Sequence, residues 1–296
     1  MKLLVLGSKG QLGCCLADQL SDTDHEVIYT SRSEIDMADL TGTKASIIDL
    51  RPNIVINATA YTAVDKAEDD KYEAEKINHL AVANIANTCS EIGCWLIHIS
   101  TDYVFDGAAS HPYSENAKTN PQGVYGDSKL KGELAIQVSG CQYLIIRTAW
   151  VYSEYGNNFL KTMLRLGADR DELSVVGDQI GCPTYAQDIA KSIVSMVSKL
   201  NLNSSISGIF HYCGDQACSW HEFAQAIFLE AKTCGWKTPN HINAIDTAKY
   251  PTRAVRPLYS ALSCSKIYDT FEIRPSNWRE GIKYVLAKLN NEMFER

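Results

Sequence analysis

Hydrophobic positions in the first half of the chain follow two alternating rhythms. Short runs that are apolar at nearly every position give way to longer stretches in which apolar residues return every three or four. Lys2–Leu6 and Glu26–Thr30 read as strands, as do residues 53–57, 95–100 and 143–147. Leu12, Leu16 and Leu20 recur at i, i+4 and i+8, which places them on one helical face. Residues 47–50 close a short helix ended by Pro52. Residues 72–91 form a long helix with Gly93 as its stop, and residues 125–138 a fourth. Strands that are apolar on both faces suit a parallel sheet covered by helices, and strand–helix alternation makes that sheet doubly wound.

After about residue 150 the rhythm changes. Residues 157–167, 187–199 and 220–235 read as amphipathic helices, and Trp278, Ile282, Val285 and Leu289 mark a closing one. Loops rich in Gly, Pro, Asn and Ser separate them, at 201–208 and 250–260, and no internal repeat is present. The predicted fold class is α/β: a Rossmann-type doubly wound parallel sheet over residues 1–150, then a smaller α/β substrate-binding C-terminal domain over 151–296. Some later segments are expected to return to the first domain.

Composition narrows the function. The 296 residues are 45% hydrophobic and 21% charged, with a net charge of −7 and no basic stripe, which argues against nucleic acid as a partner. The opening apolar run, Leu3 to Leu6, is too short for a signal peptide or a membrane span. Ten cysteines occur without a C-x-x-C, which predicts free thiols and a cytoplasmic protein. His221-Glu222 begins like a zinc-protease helix, but position 225 is Gln, so no metal is expected.

Between the first strand and the first helix lies Gly7-Ser8-Lys9-Gly10-Gln11-Leu12-Gly13. The first glycine allows a tight turn, the second a close approach of backbone to pyrophosphate, and the third close packing of helix on strand. Helix N–H groups and the helix dipole then favour the anion. At the end of the second strand, where an NAD site offers Asp or Glu, the sequence reads Thr30-Ser31-Arg32-Ser33. Ser31 and Arg32 suit a 2′-phosphate, so NADPH is the expected cofactor, with NADH as the other choice.

Reduction of a carbonyl needs a hydride donor and a proton donor. A tyrosine hydroxyl can give the proton if a nearby lysine lowers its pKa, and Tyr and Lys four apart share a helix face. Three such pairs occur: Tyr72/Lys76, Tyr125/Lys129 and Tyr284/Lys288. Only Tyr125/Lys129 follows the C-terminal end of the fourth strand, where ligands of open α/β sheets bind. Thr101, at that strand end with Asp102 and Tyr103, offers a hydroxyl beside Tyr125.

These residues resemble the extended short-chain dehydrogenase/reductase family, and more closely its reductases of nucleotide-linked 4-keto sugars. The likeness runs nearly end to end. It rests on Gly7–Gly13, on Asn57 to Glu68 (NATAYTAVDKAE) and on Ser100 to Phe105 (STDYVF), then on Val124 to Leu130 (VYGDSKL) and Arg147 to Tyr152 (RTAWVY). Gly156 to Phe159 (GNNF), Asp178 to Thr184 (DQIGCPT) and Arg256 to Ser260 (RPLYS) complete it. The resemblance implies reduction of the C4 keto group of dTDP-4-dehydro-L-rhamnose. Tyr125 would be the acid, Lys129 would hold the nicotinamide ribose, and Thr101 would complete the acid site. Asp36 and Met37 would flank the adenine, and Ala58, Ala60 and Tyr61 would line the cofactor. Thr62, Val64, Tyr103 and Trp150 would touch the deoxyhexose, with Asp102 beside them, and Asn157 and Arg256 the nucleotide or diphosphate. Some bacterial members bind Mg²⁺ at a dimer interface through an acidic residue just after the third glycine. Here Cys14-Cys15 stand there and the later acidic cluster is thinned to Gln187-Asp188, which argues against an Mg²⁺ bridge and leaves a homodimer open. Two alternatives remain: another nucleotide-sugar epimerase or reductase of the family, which for an epimerase would hold NAD⁺ permanently, or a non-catalytic regulatory subunit, which would tend to lose the tyrosine.

Overall fold

The computed structural model describes residues 1–200 and 206–294. From β1 (Lys2–Leu6) the chain runs through α1 (Gln11–Leu20) to β2 (Glu26–Thr30), which pairs parallel to β1. It then crosses by α2 (Leu40–Leu50) to β3 (Ile54–Asn57) on the other side of β1. Short α3 (Val64–Ala67) and α4 (Lys71–Glu75), a π-turn at Lys76–Leu80 and α5 (Ala81–Ile92) lead to β4 (Trp95–Thr101). Then α6 (Val124–Val138) leads to β5 (Gln142–Thr148).

The second half holds shorter pieces. They are β6 (Val151–Tyr152), α7 (Phe159–Asp169), β7 (Glu172–Val176), β8 (Ile180–Gly181), β9 (Thr184–Tyr185) and α8 (Ala186–Lys199). After them come β10 (Gly208–His211), β11 (Cys218–Ser219), α9 (Trp220–Thr233), β12 (His241–Ile245), α10 (Ser265–Phe271) and α11 (Trp278–Phe294).

Six strands form one parallel sheet in the order β10-β5-β4-β3-β1-β2. The fold is Rossmann-like. The order reverses between β1 and β3, so a crevice opens at their C-terminal ends, where doubly wound sheets take ligands. Alternation along each strand sends Leu3, Val5, Ile54 and Ile56 into one core layer, with Leu16 of α1 and Ile193 of α8. Leu4, Leu6 and Val55 enter the opposite layer, with Ile47 of α2 and Ile85 of α5. A third cluster lies apart, built on Tyr152, Phe223, Trp278 and Val285.

Several expected boundaries moved, each for a local reason. Helix α2 ends at Leu50 as expected, and at its start the Asp39 carboxylate accepts from the Gly42 N–H at 3.0 Å and caps it. The expected helix over 72–91 is broken by the π-turn, which presents the buried Asn78 to Tyr61 and Ser128. Gly93 does stop α5, in the left-handed region at φ 72°. Helix α7 begins at Phe159 rather than 157, since the Asn158 side chain accepts from the Lys161 N–H. The His221-Glu222 pair has a structural use. Glu222 forms a capping box with Ser219 that starts α9, and the His221 ring meets the Ile242 carbonyl oxygen at 3.1 Å. Of the loop expected at 201–208, residues 201–205 lie outside the described residues, and Gly208 opens β10, a strand not anticipated.

Candidate active site

Expected site residues gather along the C-terminal edge of the sheet because each follows a strand end. Gly7 leaves β1 at φ 85°, a conformation that strains any residue with a side chain, and a Cβ there would stand 2.8 Å from Thr59. A Cβ on Gly13 would fall 2.2 Å from the Gly7 carbonyl oxygen, so helix and turn meet only without one. A Cβ on Gly10 would stand 3.3 Å from the Gly7 carbonyl oxygen, tighter than an ordinary contact, so the turn is close-packed here as well. Gln11, Leu12 and Gly13 open α1, whose first N–H groups lack helical partners and whose first turn carries no acid. This cradle fits a pyrophosphate.

After β2, the backbone N–H and hydroxyl of Ser31 both donate to Glu34, at 2.7 and 2.8 Å. These bonds hold the Glu34 carboxyl below its usual range. Arg32 points into solvent, 80% exposed, with Asp36 at 3.5 Å. Met37 is buried. Glu34 was not anticipated. It lies past the strand end and brings a carboxylate to the rim, where Lys9 favours its charged form.

After β3, Ala58, Ala60 and Tyr61 are half-buried, whereas Thr62 is exposed. Asn78 accepts from the Tyr61 N–H at 2.8 Å and donates to the Tyr61 carbonyl oxygen and to Ser128 of α6, both at 3.1 Å. Val64 opens α3, and Glu68 at its end accepts from the Val124 N–H at 2.8 Å. Glu68 therefore caps α6 one residue ahead of Tyr125. Arg256 donates to Asp65 at 2.8 Å, and its charge also reaches Tyr103.

Thr101 ends β4 and caps the turn that carries Asp102 and Tyr103. Gly126 lets α6 close on this turn: a Cβ there would lie 2.2 Å from the Tyr103 carbonyl oxygen. The Tyr103 and Tyr125 rings meet edge-on at 5.5 Å. Burial pushes the Tyr125 hydroxyl up to about 12, and Asp102 adds to the rise, while its hydrogen bond with Thr101 opposes it. Burial likewise raises the Asp102 carboxyl to about 6. Lys129 is buried and held down to about 8 by desolvation, against the pull of Glu133.

One expected interaction differs. The Lys129 side chain takes its hydrogen bonds away from Tyr125. Its Nζ instead donates to the Ile99 carbonyl oxygen at 2.6 Å and meets His98 Nε2 at 3.1 Å. Behind it, Glu133 receives a forked pair of bonds from Arg147, at 2.6 to 3.2 Å, in an ion pair that is at most 3% exposed. Neither His98 nor this pair was legible, since buried polar groups inside apolar strands leave no periodicity.

Across the crevice, Trp150 follows β5 at φ 48° and stacks on Trp220 with centroids 3.4 Å apart. Gly181 leaves the room for the Trp150 indole. Phe159 tilts onto Trp220, and both line a cavity of about 650 Å³ with Met163, Val176, Gln179 and Arg256. Asn157 is exposed. Its neighbour Asn158 donates to Gln11 at 2.9 Å and ties this half to the start of α1. All ten cysteines are free. Among the described residues no cluster is placed to hold a metal, and no helix is long and apolar enough to cross a membrane.

A glycine-rich βα turn and a Tyr-Lys-Thr constellation at the rim of a parallel sheet define a Rossmann-type oxidoreductase. The comparisons narrow the class. The family described as RmlD substrate binding domain matches residues 1–291. The chain is 43% identical to the dTDP-4-dehydrorhamnose reductase of Sinorhizobium fredii, over 98% of each. Its fold is similar to that of the Clostridium acetobutylicum dTDP-4-dehydrorhamnose reductase, with a TM-score of 0.90 and 37% identity over 98% of this chain and 100% of that one. It is also similar to the Bacillus anthracis reductase solved in complex with NADP, with a TM-score of 0.88 and 34% identity over 97% and 99%. The chain belongs to the dTDP-4-dehydrorhamnose reductase family.

Proposed function

We propose that this chain reduces the C4 keto group of dTDP-4-dehydro-L-rhamnose to give dTDP-L-rhamnose, with reduced nicotinamide dinucleotide as its cofactor. The observation that carries this is the packing of Tyr125 and Gly126 on the Thr101–Tyr103 turn at the end of β4, along the edge where Gly7–Gly13 also lies. The dinucleotide, when bound, supplies the hydride. The glycine turn Gly7–Gly13 and the first N–H groups of α1 would hold its pyrophosphate, and Arg32 an NADPH 2′-phosphate. Asp36 and Met37 would flank the adenine, and Ala58, Ala60 and Tyr61 the ribose and nicotinamide.

Tyr125, with its pKa near 12, carries its proton through the neutral range and delivers it to the sugar oxygen as negative charge develops there. Thr101 aligns that oxygen with a second hydroxyl. Lys129, anchored at the floor by Ile99, would hold the nicotinamide ribose when the dinucleotide is bound. Residues up to about 150 would hold the dinucleotide and the reacting end of the sugar, and the second half the rest of the nucleotide sugar. Trp150 would pack on the deoxyhexose with Thr62, Val64, Asp102 and Tyr103. The cavity beside Trp220 would take the nucleotide, with Arg256 near the diphosphate.

The test follows reduced-nicotinamide absorbance with NADPH, then NADH, and the 4-keto nucleotide sugar, with the product identified by mass and NMR. Turnover to the 4-hydroxy sugar supports the reading. A purified protein that carries tightly held NAD⁺ and only interconverts sugar epimers would replace it with the epimerase alternative.

A further inference from the structure

Behind the reacting groups lies a buried chain of polar side chains, Thr59–Asn57–His98–Lys129, whose hydrogen bonds leave little freedom. The Thr59 backbone N–H and its hydroxyl both donate to Asn57 Oδ1, at 3.0 and 2.5 Å. A backbone N–H can only donate, so the oxygen of this amide is fixed on that side. Asn57 Nδ2, a donor, then faces His98 Nδ1 at 3.2 Å, and His98 Nδ1 must accept. His98 is fully buried, and desolvation, with Lys129 beside it, holds the ring neutral. A neutral ring that accepts at Nδ1 carries its proton on Nε2. That proton points at Lys129 Nζ, 3.1 Å away, and an ammonium group has no lone pair to receive it.

We infer that His98, locked by Asn57 in its Nε2–H tautomer, is a positioning residue that holds the Lys129 amine and disfavours the ammonium form, so that Lys129 exchanges its proton instead of carrying a fixed charge. As an amine, Lys129 accepts from His98, donates one N–H to Ile99 and keeps another for the cleft. As an ammonium it needs His98 to accept at Nε2. The His98 Nδ1–H would then confront Asn57 Nδ2, and turning the Asn57 amide would leave the Thr59 N–H facing another donor. Either arrangement strands a buried donor.

The other groups around Lys129 do not reverse this. Glu133, one turn along α6, favours the ammonium, but its carboxylate is occupied by Arg147 of β5 and by Ser100 of β4. Tyr125, also on α6, stays neutral, and Asp102 after β4 acts on Tyr125. Asn57 from β3 is uncharged.

The consequence for turnover rests on the reductase reading, but the lock itself is visible without turnover. Protein labelled with ¹⁵N-histidine would be recorded by long-range ¹H–¹⁵N correlation at neutral pH, with His98 assigned by the loss of its signals in His98→Gln. Wild type is expected to show a protonated Nε2 and a bare Nδ1. Asn57→Asp, which can only accept, should move the proton to Nδ1. It should also raise the alkaline limb of the kcat/KM profile by about one to two pH units. A wild-type ring protonated at Nδ1, or at both nitrogens, would overturn the inference, with no variant needed. A protein that shows the Nε2–H tautomer yet turns over no keto sugar would count against the reductase reading and leave the lock in place.

Discussion

Two sides of the cleft fix their side chains by different means. At the rim of the sheet the buried groups are charged or hydrogen-bonding: Glu133 with Arg147, Lys129 with His98, Asp102 with Thr101. On the facing wall they are aromatic, with Trp150 on Trp220, Phe159 on Phe223, and Trp278 edge-on to Phe223. In the proposed reaction the rim would move a proton, and desolvation shifts the Tyr125, Asp102 and Lys129 groups there. The wall would hold a ligand by shape, which packing alone secures. A perturbation of the rim should therefore depend on pH, and one of the wall should not.

The largest effects come from breaking each side once. Glu133→Ala leaves Arg147 buried without its partner and should cost about 4 kcal/mol in urea unfolding. Trp278→Ala removes a fully buried indole and should cost about as much, roughly 3–5 kcal/mol.

Asp102→Asn should act in the opposite direction. The folded carboxyl titrates near 6 against an ordinary 3.8, so the folded state binds its proton more tightly. That group costs nothing below pH 3.8, and its destabilisation grows as pH rises to 6 and then levels off. The amide variant should be more stable by about 2–3 kcal/mol at pH 7 and equal to wild type below pH 4. A constant difference across that range would mean that packing, not titration, is responsible.

His211 carries the reverse sign. Burial and Arg147 hold its imidazole at about 3, with the Tyr113 carbonyl oxygen 3.0 Å from Nδ1. The unfolded state takes up a proton below pH 6.5 and the folded state does not, so stability present at pH 7 is lost on acidification. From pH 7 to 5 this group should cost about 2 kcal/mol, and His211→Gln should unfold with that slope removed. The smallest effect is expected for Glu68→Ala, about 1 kcal/mol from the lost cap on α6. Its kcat should fall more than its stability does, because Tyr125 sits in the first turn.

Much of the rim was legible in the sequence, and most of the wall was not. Apolar runs such as Leu3–Leu6 and Ile54–Ile56 mark the parallel strands, and glycines and the Tyr-x-x-x-Lys spacing mark their C-terminal ends. Local pattern does not reveal partners brought in from afar. Glu68 reaches α6 across 56 positions, and nothing near residue 68 announces that. His98 and Glu133 sit in or against the sheet as isolated polar residues. On the wall, β8, β9 and β11 are two residues long, too short for a period. Asn158 rather than Asn157 turns toward α1 because a side-chain cap fixed the helix start. One reading of the residues themselves did not carry over: Lys129 lies four residues from Tyr125 yet turns toward Ile99 and His98.

Kinetics of Tyr125→Phe bear most directly on the assignment of the acid. The variant keeps the ring against Tyr103 and loses only the hydroxyl. With NADPH and the 4-keto nucleotide sugar, kcat should fall by on the order of 100-fold or more, with cofactor binding by fluorescence unchanged. A variant that keeps wild-type kcat would contradict Tyr125 as the acid and return that role to Thr101 or Asp102.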